Sequence, residues 1–327
     1  MRPFGLCSIG HAITDLLFPV QESDLLELRI KKGSRCLAEP AFWDRILQKF
    51  QLIKPVLGAG GSAGNSLAAF SRLGGKSIFI SKTGDDDLSK YYMEQMQDAG
   101  VECRFSIAHG QPSGRCLVLV TPDGGRTMLT DLGVGRVLGS ECIDKQALAE
   151  STWFLAEGYL LSDNFQTVRE ALSIAKTNGL RLALSLSDAV LVTKYRQRFL
   201  ALLPEMDLVL GNEEEACALC AETNLKRALD KLSTKKALIV VTVGDKGAWL
   251  IESGERFLIP AFPCRPLDTT GAGDVFAGAF IYGIHIGYPA QRAAIGAAFI
   301  AMKSITKMGA RFAGSLVPDW EQAMKEP

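Results

Sequence analysis

The sequence predicts an α/β protein: a central, mainly parallel sheet flanked by helices, carrying a small β-sheet lid. Three observations predict it. Short apolar, β-branched-rich runs alternate with helical stretches along most of the 327 residues. Several of the helical stretches end in glycine, where a helix commonly stops. Two further regions break that rhythm with patterns of their own.

The strand-like runs, in order, are "FGLCSI" (4–9), "KSIFIS" (76–81), "WFLAEGYL" (153–160), "LRLALSL" (180–186), "MDLVLG" (206–211) and "ALIVVTV" (237–243). Between them "AGNSLAAFSRLGG", "SKYYMEQMQDAG", "FQTVREALSIAKTNG" and "EEEACALCAET" have helical spacing. Strands separated by helices form parallel sheets, and their sites lie at the carboxyl ends of the strands. The irregular regions are 16–50, charged and mixed, and 103–130, where "GRCLVLVTPDGGRTMLT" places a Pro-Asp-Gly-Gly turn between alternating runs. We expect these two to form a discontinuous lid, with 1–15, 51–102 and 131–327 as the core.

Lys+Arg and Asp+Glu both number 36, so no net charge marks a nucleic-acid or membrane partner. No run approaches 18 uncharged apolar residues, and "MRPFGLCSIG" lacks an apolar leader, so a cytoplasmic location is expected. Cys217 and Cys220 form the one C-x-x-C among eight cysteines, with all three histidines far away in sequence. Buried, reduced core thiols are the reading.

The chemistry concentrates in "DTTGAGDVFAGAF" (268–280). Gly271, Ala272 and Gly273 leave backbone N–H groups open at the start of a helix that carries no Asp, Glu, Lys or Arg from Val275 to Gly287. Such a terminus attracts anions. Asp274 stands beside it, and an acid there is repelled by what the amides bind. Capping by Asp268 or Asp274 is the plain alternative. A second glycine run, "GAGGSAGN" (58–65), fits G-x-G-x-x-A through Gly58, Gly60 and Ala63. A nicotinamide site would want a clean preceding strand and an acid after the next one. "QLIKPVL" holds a proline and "SIFISK" ends in Lys82. The same glycines could instead admit a polyol, with Asn65 bonding its hydroxyls. No G-x-x-x-x-G-K-[ST] is present.

"GGSAGNSLAAFSRLGG" and "DTTGAGDVFAGAF", in this order and separation, resemble the two signatures of the ribokinase-like (PfkB) kinases. "GHAITD", "GNEEEA" and "VTVGDKGAW" extend the resemblance over essentially the whole chain. "CLAEP", "AGGSAGN", "EGYLLS", "LSLSDA" and "LGNEEEA" are similar to the adenosine kinase branch.

The resemblance implies a ribokinase-like fold and transfer of the γ-phosphate of ATP, with Mg²⁺, to a primary hydroxyl. Asp274 would be the base, and the amides of Gly271, Ala272, Gly273 and Asp274 the anion hole. Asp15, Gly60, Gly61 and Asn65 would hold substrate hydroxyls, with Glu157 adjacent. Asn212 and Glu215 match an N-x-x-E linked to the nucleotide phosphates and Mg²⁺. Thr242, Gly244 and Gly247 would line the nucleotide. Asp268 and Thr270, with carbonyls near Ser304, Lys307 and Gly309, fit a loop for K⁺. Partners are then a small-molecule substrate and ATP, in a monomer or a lid-mediated homodimer. The acceptor is read as a nucleoside, adenosine first, with Leu16, Leu17 and Phe18 as its apolar wall. Ribose, fructose or 2-keto-3-deoxygluconate is the alternative, since Thr270 follows the sugar kinases, Asp131 departs from the adenosine branch, and Ala298 stands where many members of the family carry a nucleotide-side Asn. An oxidoreductase and an idle ligand-binding protein are the rival classes.

Overall fold

The structure, a computed structural model, describes residues 2–325. Met1, Glu326 and Pro327, at the outer ends of the expected core segments, lie outside the described residues. In chain order the strands are β1 (Phe4–Ile9), β2 (Ile13–Pro19), β3 (Arg35–Leu37), β4 (Val56–Ala59), β5 (Ser77–Gly84), β6 (Val101–Ala108) and β7 (Gly114–Val120). There follow β8 (Arg126–Asp131), β9 (Ser151–Glu157), β10 (Arg181–Ser185), β11 (Leu208–Asn212), β12 (Leu238–Thr242), β13 (Ala248–Glu252) and β14 (Glu255–Ile259). Nine make one sheet in the order β14-β13-β12-β11-β10-β9-β1-β5-β6, and five make a second in the order β3-β8-β7-β2-β4.

The large sheet is parallel from β6 across to β12, and β13 and β14 complete it as antiparallel strands. Successive side chains on a strand face opposite ways, so a strand apolar throughout feeds two cores. In β9, Trp153 and Leu155 enter a core shared with helices Ser62–Arg72, Ala272–His285 and Ala290–Ile305. Phe154 and Ala156 enter the opposite core, with helices Phe165–Thr177 and Glu213–Cys220. Full burial of each large side chain stabilises the fold by about 1.5–3 kcal/mol.

One contact positions the site. A Cβ at Gly278 would lie 2.1 Å from the carbonyl oxygen of Ser66. Glycine there lets helix Ala272–His285 cross helix Ser62–Arg72 at backbone contact. The two glycine-rich stretches, far apart in sequence, thus meet at their helix starts.

The smaller sheet has its own core. Phe18, Trp43, Ile46, Phe50, Leu117 and Leu119 fill the space between this sheet and helices Glu22–Glu27 and Pro40–Lys49. The Pro-Asp-Gly-Gly hairpin forms as expected between β7 and β8, with Gly124 at φ 81°.

Strand pairing draws the border between the sheets differently from the expected segments. Residues 103–108, expected in the lid, belong to β6, which pairs with β5 in the large sheet from Val101 to Ala108. β6 is an edge strand of partly exposed residues, so its alternating pattern imitates the hairpin that follows. Conversely, β4 and residues 13–15, expected in the core, pair within the small sheet. The nicotinamide reading fails on the same fact. β4, before the glycines, is an antiparallel edge strand and not the central parallel strand that reading requires.

Candidate active site

β1 lies between β9 and β5, so successive connections leave it in opposite directions and open a crevice at the strand ends. A cavity of about 580 Å³ lies there, walled by His11 after β1, Glu157 ending β9, Ser185 ending β10, Asn212 ending β11 and Thr242 ending β12. The lid supplies the opposite wall, through Ile13, Asp15, Arg35, Leu37, Cys116 and Met128. Phe18 is not part of it: its ring packs in the lid core, 5.8 Å from that of Phe50. Along β2 alternate side chains face the cavity, and Phe18 is three residues from Asp15, on the other face.

Asp274 stands in the first turn of helix Ala272–His285 and is held from the other signature. Ser62 Oγ donates to its Oδ1 at 2.6 Å and Asn65 Nδ2 to its Oδ2 at 3.0 Å. Ser66 Oγ donates to its carbonyl at 2.9 Å. Ser62, Asn65 and Ser66 share one helix face, at spacings of three and four. Loss of bulk water raises the Asp274 pKa, opposed by the Ser62 and Asn65 hydrogen bonds and by the charges of Arg311 and Arg35. An acid so placed can accept a proton.

Beside it, among the described residues, the N–H groups of Gly271, Gly273 and Asp274 find no acceptor. A Cβ at Gly273 would meet nothing within 4 Å, so this glycine faces open cavity. Gly271 sits at φ 73°, and a Cβ there would lie 2.5 Å from that of Ala310. The first glycine shapes the turn and the second leaves room for a group bound on the amides. These features fit a phosphate.

Asp15 projects into the cavity with no hydrogen-bond partner among the described residues. Burial raises its pKa to about 7, against the pull of Arg311 and Arg126. Gly60 makes the space, since a Cβ there would lie 2.7 Å from Asp15 Oδ1. At Gly61 φ is 82° and a Cβ would lie 2.5 Å from the His11 carbonyl oxygen. Glu157 is buried and accepts from the N–H groups of Ala63 (2.8 Å) and His11 (3.2 Å). Burial still raises it to about 7. It clamps the end of β1 to the start of helix Ser62–Arg72.

Asn212 and Glu215 cap helix Glu213–Cys220 reciprocally. Glu215 N–H donates to Asn212 Oδ1 at 2.9 Å, and Asn212 N–H to Glu215 Oε2 at 3.0 Å. Both line the cavity, and burial raises Glu215 to about 7. Thr242 lines it as well, whereas Gly244 and Gly247 are not among its walls. They form the β12–β13 turn, where a Cβ at Gly247 would lie 1.9 Å from the Ile259 carbonyl oxygen.

Of the residues expected to form a cation loop, Thr270 and Gly309 meet Asp268. Its Oδ1 accepts from Thr270 N–H at 3.0 Å and its Oδ2 from Gly309 N–H at 2.6 Å. Arg126, carried by β8 of the lid, brings Nη2 within 2.6 Å of the same Oδ2. Ser304 Oγ donates to the Ala301 carbonyl, and the Lys307 ammonium to that of Arg311. Among the described residues no cluster of three His, Cys, Asp or Glu converges to hold a metal. A monovalent ion here would rest on carbonyl oxygens, because the carboxylate is already met.

Sequence reasoning missed Ser62, His11, Arg35, Arg126 and Arg311. Ser62 was legible, being three residues before Asn65 on the same helix face. The arginines carried no local signal, since each reaches the site from a distant segment.

An acid held beside amides that no described residue pairs, at the carboxyl ends of a parallel sheet, has the chemistry that phosphoryl transfer to a hydroxyl needs. Residues 49–316 match the pfkB family of carbohydrate kinases, and the chain belongs to that family. It is therefore a phosphotransferase with a hydroxyl acceptor and ATP as donor. The chain is similar to the crystal structure of adenosine kinase from Sinorhizobium meliloti (32% identity, 98% of this chain and 99% of that one, TM-score 0.90). It is similar as well to a probable sugar kinase from Rhizobium etli (28% identity, 99% of both chains, TM-score 0.91). The adenosine kinase of Saccharomyces cerevisiae is 25% identical over 89% of each chain. No described helix is long and apolar enough to cross a membrane.

Proposed function

We propose that the protein transfers the γ-phosphate of ATP to a primary hydroxyl of a nucleoside, adenosine first. The observation that carries this reading is the division of the cavity. Its lining divides into polar groups, among them Asp15, Asn65 and Asp274, and apolar ones, among them Ile13, Leu37, Met128 and Leu132. A nucleoside has that division, a hydroxylated ribose joined to an apolar base. The likeness to adenosine kinases supports the same choice.

In the proposed mechanism Asp15 accepts hydrogen bonds from substrate hydroxyls, with Gly60 and Gly61 allowing close approach. Asp274 takes the proton of the primary hydroxyl as its oxygen bonds to the γ-phosphorus, and the bond to the bridging oxygen breaks to release ADP. The amides of Gly271, Gly273 and Asp274 stabilise charge on the transferring group. Mg²⁺ would enter with ATP. Asn212 and Glu215 would face its phosphates, with Thr242 beside them. K⁺ would sit on the carbonyls near Ser304, Lys307 and Gly309. The lid's own helices cover its outer face, which favours a monomer over a lid-mediated dimer.

A sugar acceptor is the second reading, favoured by one observation. No lid residue on the cavity wall, among the described residues, is aromatic and able to stack on a base. Asp131, which departs from the adenosine branch, does not bear on the choice, because it pairs with Arg115 at 3.2 Å outside the cavity wall. The test is kcat/KM for adenosine, inosine, ribose, fructose and 2-keto-3-deoxygluconate under one set of conditions. A free sugar exceeding every nucleoside tenfold, about 1.4 kcal/mol in transition-state binding, would overturn the nucleoside assignment.

A further inference from the structure

Arg311 is 246 residues from Asn65 in sequence, yet its Nε donates to Asn65 Oδ1 at 2.8 Å. Its Nη2 donates to the Gly60 carbonyl at 3.1 Å. Room for this guanidinium is built in, since a Cβ at Gly64 would lie 2.7 Å from Nη2. Asn65 in turn donates from Nδ2 to Asp274 Oδ2 at 3.0 Å. The three residues form a chain of contacts ending on the acid.

The chemistry of the first link dictates the second. A guanidinium is donor-only, so Asn65 must turn its carbonyl oxygen toward Arg311. Its NH₂ then necessarily faces Asp274. Flipped, the amide would present NH₂ to a cation and oxygen to a carboxylate, and both contacts would become repulsive. We propose that Arg311 is a positioning residue that locks the Asn65 amide and, through it, the carboxylate of Asp274. The second hydrogen bond, to Gly60, ties the same guanidinium to the segment bordering Asp15.

This inference rests on the reading of Asp274 as the base, and the experiment separates the two. The measurements are kcat, kcat/KM between pH 5 and 9, and the Kd for ATP by calorimetry. They use the full chain and adenosine, or the sugar that outperforms it. The variants are Asp274→Asn, Asn65→Ala, Arg311→Met and the double variant Arg311→Met/Asn65→Ala. Other ionisable groups facing Asp274 are Arg35 from the lid, Glu157 at the end of β9, Glu215 in the first turn of helix Glu213–Cys220, and Tyr159, all left intact.

Arg311→Met is expected to lower kcat by roughly 10–10²-fold while the ATP Kd stays within about threefold. Its acid limb in kcat/KM moves to higher pH, since Asp274 loses a nearby cation and a fixed donor. A residue that only supports the fold would leave that limb in place. If Arg311 acts through Asn65, the double variant is no worse than Asn65→Ala within about threefold. Losses that multiply, an unmoved acid limb, or an Arg311→Met kcat within about threefold of wild type would each overturn the proposal. Should Arg311→Met not fold, Arg311→Lys carries the test: it keeps a cation but not the fork, and full kcat would overturn the proposal. An active Asp274→Asn would instead remove the base assignment itself.

Discussion

Ser62 Oγ and Asp274 Oδ1 are 2.6 Å apart although 212 residues separate them in the chain. The hydroxyl donates to the acid without neutralising it, leaving Asp274 able to take a proton. Asp274→Asn is expected to fold and bind ATP but to lose roughly 10²–10⁴-fold in kcat, the usual worth of a positioned base. Steady-state rates within about threefold of wild type would remove Asp274 from that role.

Gly271 and Gly273 should behave oppositely. Alanine at 271 must hold φ near 73° and would press on Ala310, so the variant should lose about 1–2 kcal/mol or more of stability. Alanine at 273 meets no protein atom within 4 Å. That variant should melt within about 1 °C of wild type, yet lose at least about tenfold in kcat by intruding on the amide site. Calorimetry and rates on the two proteins decide it. A fully active Gly273→Ala would show that nothing binds there.

The pH dependence of stability follows from the same cavity. Asp15, Glu157 and Glu215 are each raised by burial to about 7. Between their ordinary range and pH 7 the folded state therefore holds more protons than the unfolded, and stability falls as pH rises through that window. His11, lowered by burial and by Arg136 to about 4, acts the other way between pH 4 and 6.5. Three carboxylates outweigh one imidazole. The unliganded protein should melt lower at pH 8 than at pH 5.5, and Asp15→Asn should raise the melting temperature at pH 8 by roughly 1–3 °C. A melting curve independent of pH over this range would contradict the cavity's electrostatics.

Arg126 joins the lid to the loop before the anion site through Asp268. Removing its charge should loosen the lid and leave Asp268 buried without its cation. Arg126→Gln is expected to lower kcat/KM by about tenfold or more while the core keeps its helical circular dichroism. Unchanged kcat/KM would mean that this contact does not govern closure.

Much of this was legible in the chain. Short apolar, β-branched-rich runs read as strands covered on both faces, and "PDGG" between alternating runs reads as a hairpin. The acid at 274 was legible because charge beside an anion-attracting terminus needs a chemical reason. Gly60 and Gly273 stood out as glycines that leave room at the site. What the structure adds is that Gly60 makes room for the Asp15 carboxylate, whereas Gly244 and Gly247 shape a turn.

The sequence by itself determined the layered α/β class, the two glycine-rich signatures and the placing of an acid beside an anion-attracting helix start, because these depend on spacings of a few residues and on local backbone chemistry. Tertiary structure alone decided which sheet each border strand joined. A half-exposed edge strand and a hairpin strand have the same alternating pattern and differ only in their partner. It alone brought Arg311 to Asn65 and Arg126 to Asp268. Such contacts arise when the sheet carries distant loops to the same strand ends, and no local pattern in the sequence encodes that meeting.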